Sequence, residues 1–157
     1  MGSKGQTTLT AVAISLFGSL ATMTAAQADQ CDMLGLDLSQ RTNAVVERKV
    51  NVLTVKHPWV GSAGVSYCAT AKPGFDATID TAYPQGTFFD FIGAAGSIVV
   101  KARPQKLRDA AVKCTRLALK DPDGLHHLDS LGLELTCNAK SGANGFVTVL
   151  ITRKTAS

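Results

Sequence analysis

Four cysteines, Cys31, Cys68, Cys114 and Cys137, are spread along this chain of 157 residues, and how they pair constrains the fold more than any other feature. What they do depends on the compartment. Residues 1–28 carry an export pattern. Lys4 gives a positive start, Leu9 to Ala21 is an apolar run, and Ala26-Gln27-Ala28 offers the small residues that a signal peptidase reads, with Asp29 following. The run is too short to span a bilayer, which takes about 20 apolar residues. A lipoprotein anchor is not indicated, because Ala28-Asp29-Gln30 precedes Cys31, and no twin arginine is present. Phe88 to Val100 is the other apolar stretch; it is short and contains Asp90, Gly93 and Gly96. The expectation is therefore a secretory signal peptide over 1–28 and a single small exported domain over 29–157, periplasmic or extracellular, with no transmembrane segment in the mature chain.

An even number of cysteines in an exported chain points to two disulfides. A zinc site would want cysteines paired roughly two to four residues apart, and the nearest two here are Cys114 and Cys137. The pairing follows from which faces the cysteines occupy. Cys114 lies on the apolar side of a helix and Cys137 on the apolar side of a strand with Leu133, Leu135 and Ala139. Cys68 shares a more polar strand face with Ser66 and Thr70, and Cys31 lies in an arm that needs tethering. The expectation is Cys114–Cys137 and Cys31–Cys68.

The helix is the clearest local signal. Residues 105–120, turned by about 100° per residue, put Leu107, Ala110, Ala111, Cys114, Leu117 and Ala118 in one half of the wheel. Gln105, Arg108, Asp109, Lys113, Thr115, Arg116 and Lys120 fall in the other half, with Lys106 on the boundary and Val112 and Leu119 as exceptions. That is an amphipathic helix with a core side and a basic side. Pro104 suits its start, and Asp121-Pro122-Asp123-Gly124 ends it.

The rest reads mainly as strands. Residues 29–43 look like an irregular arm, 44–56 like one long or bent strand stopped by His57-Pro58-Trp59, and 64–71 like a half-buried strand that alternates cleanly. Residues 75–86 read as a loop with weak strand character near Ala77 to Ile79. Thr87 to Ile92 and Ser97 to Ala102 read as two strands around Gly93-Ala94-Ala95-Gly96, with a short helix over 88–96 as the other reading. Leu133 to Ala139 and Phe146 to Ile151 form a hairpin, the second arm apolar enough on both faces to be central. Residues 153–157 read as a frayed tail. The fold class expected is α+β: a mainly antiparallel sheet of five or six strands with one amphipathic helix, about 105–120, stabilised by disulfides.

Charge adds a modest constraint. The whole chain carries +4, and Lys4 is the only charged side chain in the expected leader, so the mature part is mildly basic. Lys101, Arg103, Lys106, Arg108, Lys113, Arg116 and Lys120 fall in one stretch whose only acid is Asp109. The binding candidates are Lys106, Lys113, Arg116, Lys120 and Arg108, facing an anionic surface, a polysaccharide or an acidic protein. No aromatic residue interleaves them, so base stacking has no platform there and nucleic acid is not the expected partner.

Catalytic candidates are His57, Glu47, His126 and His127, because a histidine pair or a glutamate–histidine pair beside a cation such as Arg48 can run phosphoryl transfer. No Gly-x-Ser-x-Gly elbow occurs. The Asp121-x-Asp123-Gly124 stretch lacks the rest of a calcium loop and reads as a turn. His126, His127 and Asp129 are too closely spaced to converge on zinc, since adjacent side chains point apart, so no metal and no cofactor are expected. Trp59 could pack in the core or anchor a partner. The leading reading is an exported, non-catalytic binding or interaction module with a basic helix face. The alternative is a small secreted hydrolase acting on an anionic polymer, with ribonuclease-like use of histidine, glutamate and arginine.

Overall fold

Two antiparallel meanders meet edge to edge to form one seven-stranded sheet, and three helices cover one of its faces. The computed structural model describes residues 21–130 and 132–154. Most of the expected leader, residues 1–20, lies outside them, as do residues 155–157. The first meander is β1 (Val45–Lys49), β2 (Val52–Lys56), β3 (Ser62–Ser66) and β4 (Gly74–Ile79). The second is β5 (Leu125–Ser130), β6 (Leu133–Lys140) and β7 (Phe146–Arg153). The strand order is β1-β2-β3-β4-β7-β6-β5, and every neighbouring pair is antiparallel. The two meanders join where Phe75 pairs with Ile151 and Ala77 with Val149.

The α+β class and the antiparallel sheet agree with the sequence reading, but the element count does not. There are seven strands and three helices, where the sequence suggested five or six strands and one helix. The supposed arm is α1 (Ala21–Thr42). Cys31, Leu38 and Thr42 are buried at helical spacing, Leu34 packs beside them, and the Thr42 hydroxyl donates to the Leu38 carbonyl at 2.6 Å. Asn43, at φ 55°, ends the helix in the left-handed conformation that helix C-termini favour. The single strand over 44–56 is two strands, turned at Val50-Asn51 with Val50 at φ 52°. No glycine announces that turn.

The stretch taken for two strands is helical throughout. Gly86–Phe91, a π-helical turn Ile92–Gly96, and Ser97–Val100 form one continuous rod, called α2 here. Phe88, Phe91, Ile92, Ala95, Ile98 and Val100 are buried over most of its circumference, with Asp90 the exposed charge, which is why no clear amphipathic period shows. Its glycines are packing sites. A Cβ at Gly93 would lie 2.8 Å from the Pro104 carbonyl oxygen, and one at Gly96 would lie 2.9 Å from Leu107. Both contacts belong to α3 (Pro104–Ala118), the helix read from the sequence, which crosses there.

Within α3, Leu107, Ala110, Ala111, Cys114 and Ala118 are buried as expected. Thr115 is buried too, against expectation, and Val112 and Leu119 pack on the core, because α2 covers that flank of the helix as well as the sheet beneath it. β7 lies between β4 and β6, but only its helix-facing residues Val147, Val149 and Ile151 are buried. Thr148 on the open face hydrogen-bonds Thr78. The strand expected over 64–71 ends at Ser66. Tyr67, at φ 55°, breaks it, so Cys68 is buried and Tyr67 exposed, the reverse of the expected faces.

Two disulfides close the structure. Cys31–Cys68 ties α1 to the loop after β3, with Cα atoms 5.1 Å apart, and Cys114–Cys137 ties α3 to β6 across 5.8 Å. No helix among the described residues is long and apolar enough to cross a membrane.

Candidate functional site

One end of the domain gathers cations from two separate chain segments. α2 stops at Lys101, whose backbone N–H closes on the Ser97 carbonyl while its φ of 52° turns the chain out of the helix. Glycine usually takes such a position, since other residues pay a steric penalty of roughly 1–2 kcal/mol. Two residues later Arg103 precedes Pro104, whose fixed φ suits the first position of α3. The last residues of β7 arrive alongside. Arg153 is not a frayed end: its Nε donates to the Val100 carbonyl at 2.9 Å, satisfying a terminal carbonyl of α2. The Lys154 backbone N–H donates to Gly132 at 3.1 Å.

These segments enclose a cleft of about 480 Å³ lined by Lys101, Arg103, Lys106, Arg153 and Lys154 beside Leu133. Lys154 pairs with Asp129 at 2.5 Å. Lys101, Arg103 and Lys106 form no ion pair among the described residues. Like charges gathered in a concave surface reinforce one another, and the low-dielectric wall focuses their field outward.

The basic helix face expected from the sequence is divided. Lys106 lines the cleft. Lys106 and Lys113 also flank a shallow depression against Leu128 and Asp129 of β5. Lys113, Arg116 and Lys120 are exposed outside the cleft. Arg108 is engaged within the protein: Asp90 hydrogen-bonds and pairs with it, Asp109 lies 3.6 Å away, and Asp90 foremost raises the pKa of the guanidinium above its ordinary value. Arg108 and Arg116 border a hollow of about 330 Å³ between α3 and α2, floored by Phe89, Val112 and Thr115.

The catalytic candidates do not come together. Glu47 on β1 and His57 after β2 sit at one edge of the sheet, and His126 and His127 on β5 sit at the other. Five strand spacings of about 4.8 Å separate β2 from β5. Glu47 pairs with Lys56, whose hydrogen bond and charge lower its pKa. His57 is held structurally. Its ring stacks on Phe91, meets Trp59 edge-on, and accepts a hydrogen bond at Nδ1 from the Trp59 backbone. Burial lowers its pKa, against a hydrogen bond to the Thr42 backbone that raises it. His127 shares a 3.0 Å hydrogen bond with Thr136, and His126 lies opposite Cys137 in the sheet. Trp59 is half-exposed rather than a core residue. Asp121 accepts from the Asp123 backbone in a turn. Among the described residues no three histidine, cysteine, aspartate or glutamate side chains group as a metal site.

Sequence reasoning missed Arg153 and Lys154 as site residues. The signal was available: two adjacent cations, Arg153 and Lys154, stand at the end of a strand whose hairpin partner is legible in the sequence. Compared with known proteins, the chain matches no family model, no curated protein and no solved structure.

Proposed function

We propose that this protein is an exported, non-catalytic binding module that takes anionic ligands at its basic end. One observation carries the reading: Lys101, Arg103, Lys106, Arg153 and Lys154, from two stretches far apart in sequence, line one cleft in which Asp129 provides the only ion pair among the described residues. Lys113, Arg116 and Lys120 extend the positive surface along α3, as an anionic polysaccharide, surface or acidic protein would require. Two disulfides fit an oxidising compartment outside the cytoplasm. The wide separation of His57 from His126 and His127 gives the hydrolase reading no assembled acid–base pair.

The test is retention on a sulfated polysaccharide matrix. The protein should elute at a salt concentration that falls sharply when Lys101, Arg103 and Lys106 are changed together to glutamate, and falls less when Lys113, Arg116 and Lys120 are changed. Exposed charges act over about 8 Å at physiological ionic strength, so the effect should vanish in high salt. Equal elution of both triple variants and the parent would reject the cleft as the binding surface.

A further inference from the structure

The basic cleft does not end at its own wall. Lys101 and Arg153 also line a second depression, a groove of about 650 Å³ on the other side of them, formed by α1, the loop after β3, and the end of α2. The groove is apolar where the cleft is charged. Met33, Leu34 and Leu36 of α1 form one wall, and Pro73 and Val99 contribute to the other. Met33 is 71% exposed and Leu36 58% exposed, three residues apart on one helix and therefore neighbours on its surface. Among the helix side chains whose burial is described, they are the large apolar ones left open to solvent. The acid in the groove, Asp37, faces Arg41 at 3.6 Å.

An apolar groove that runs up to two cations, with three more beyond them, has the polarity profile of an amphiphile. We propose that groove and cleft form one site for a single-chain amphiphilic anion, with its alkyl chain along Met33, Leu36 and Val99 and its carboxylate between Lys101 and Arg153. The inference rests on the anion-binding reading above and names the ligand class for it. Both volumes lie in the range of about 300–1,000 Å³ usual for small-molecule sites. Charge decides the head group. A guanidinium presents paired donors that match a carboxylate, and Arg153 is already oriented, because its Nε is fixed on the Val100 carbonyl at 2.9 Å. A peptide helix would find only two exposed apolar anchors among the described side chains of α1 and a floor interrupted by Gln30 and Gln40. A slender alkyl chain needs no such regular spacing.

The experiment uses the exported, oxidised protein and a fluorescent long-chain fatty acid, with competition by hexadecanoate and by the uncharged alcohol of the same length. The expected result is saturable binding of one probe per chain, displaced by hexadecanoate at least tenfold more effectively than by the alcohol. Leu36→Gln should weaken the probe at least tenfold and leave polysaccharide retention unchanged, since it makes the groove polar without altering charge. Lys101→Gln should weaken the carboxylate and not the alcohol. Both side chains are exposed, so neither change threatens folding. Absence of saturable binding, equal competition by alcohol and acid, or a Leu36→Gln protein that binds like the parent would overturn the proposal. Intact retention on the polysaccharide in the same preparations would then leave the anion-binding reading standing, whereas loss of both would remove both. Vesicle binding without binding of the monomeric probe would mark a membrane-facing patch and also overturn it.

Discussion

The His57 ring lies nearly flat on Phe91, with centroids 4.5 Å apart and planes 21° from parallel. This stack joins the end of the first hairpin to the buried helix α2. It has a pH signature. Burial lowers the folded-state pKa of His57 below its ordinary 6.5, so the neutral ring is the form that the fold favours. Stability from this site is complete above pH 6.5 and is lost as pH falls through the lowered value. Thermal unfolding followed between pH 7 and pH 5 should show a decline that His57→Phe flattens. An aromatic pair of this kind contributes about 0.5–1.5 kcal/mol beyond its buried area, so His57→Ala should cost at least that much at neutral pH.

Asp76 titrates in the opposite sense. It sits on β4 between Gly64 and Leu150, and burial raises its pKa above the ordinary 3.8. The folded protein therefore holds that proton more tightly than the unfolded chain. The benefit is present below pH 3.8 and is lost as pH rises through the raised value. Asp76→Asn should raise the melting temperature at pH 7, and the gain should disappear in acid. A gain that persisted at pH 3 would point to a cause other than ionisation.

The Thr115 hydroxyl is buried without a hydrogen-bond partner among the described residues. A buried polar group left unpaired costs about 1–3 kcal/mol. Thr115→Val keeps the shape and removes the oxygen, so denaturant unfolding should show a stabilisation of up to about 1–2 kcal/mol.

Lys101 sets stability against binding. Its left-handed backbone suits glycine, and its side chain lines both the cleft and the groove. Lys101→Gly should raise stability by roughly 0.5–1 kcal/mol while lowering the salt concentration of elution from a sulfated matrix. A change that improved or impaired both together would mean that the lysine is not there for its charge.

The sequence disclosed those elements whose surroundings differ from side to side. α3 has a sheet under one side and water over much of the other, so Leu107, Ala111 and Cys114 separate cleanly from Lys106, Lys113 and Lys120. β6 alternates for the same reason, through Leu133, Leu135 and Cys137. α2 has protein round most of it and only Asp90 as an exposed charge, so its period was blurred, and the small residues that let α3 approach at Gly93 and Gly96 imitated a turn. β5 lies at the sheet edge, where Leu125-His126-His127-Leu128 has only one neighbouring strand and little to bury. α1 was hidden by its polar residues and Gly35, although Cys31, Leu34, Leu38 and Thr42 carry a helical stripe. The site itself was half visible. Lys101, Arg103 and Lys106 are neighbours in sequence, but Arg153 reaches Val100 across 53 residues, and only the closing of β4 on β7 brings them together.

The order of the cysteines along the chain has a consequence for biogenesis. Cys31 pairs with Cys68 and Cys114 with Cys137, first with second and third with fourth, each bridge confined to one half of the fold. A chain delivered from its N-terminus into an oxidising space exposes Cys68 to Cys31 before either later cysteine has arrived. Oxidation in that order would produce the native pairs directly, with no thiol exchange needed to correct them. The junction that waits for the C-terminal strand is the one between β4 and β7, which no disulfide crosses and which closes through ladder hydrogen bonds and the packing of Phe75, Ala77, Val149 and Ile151.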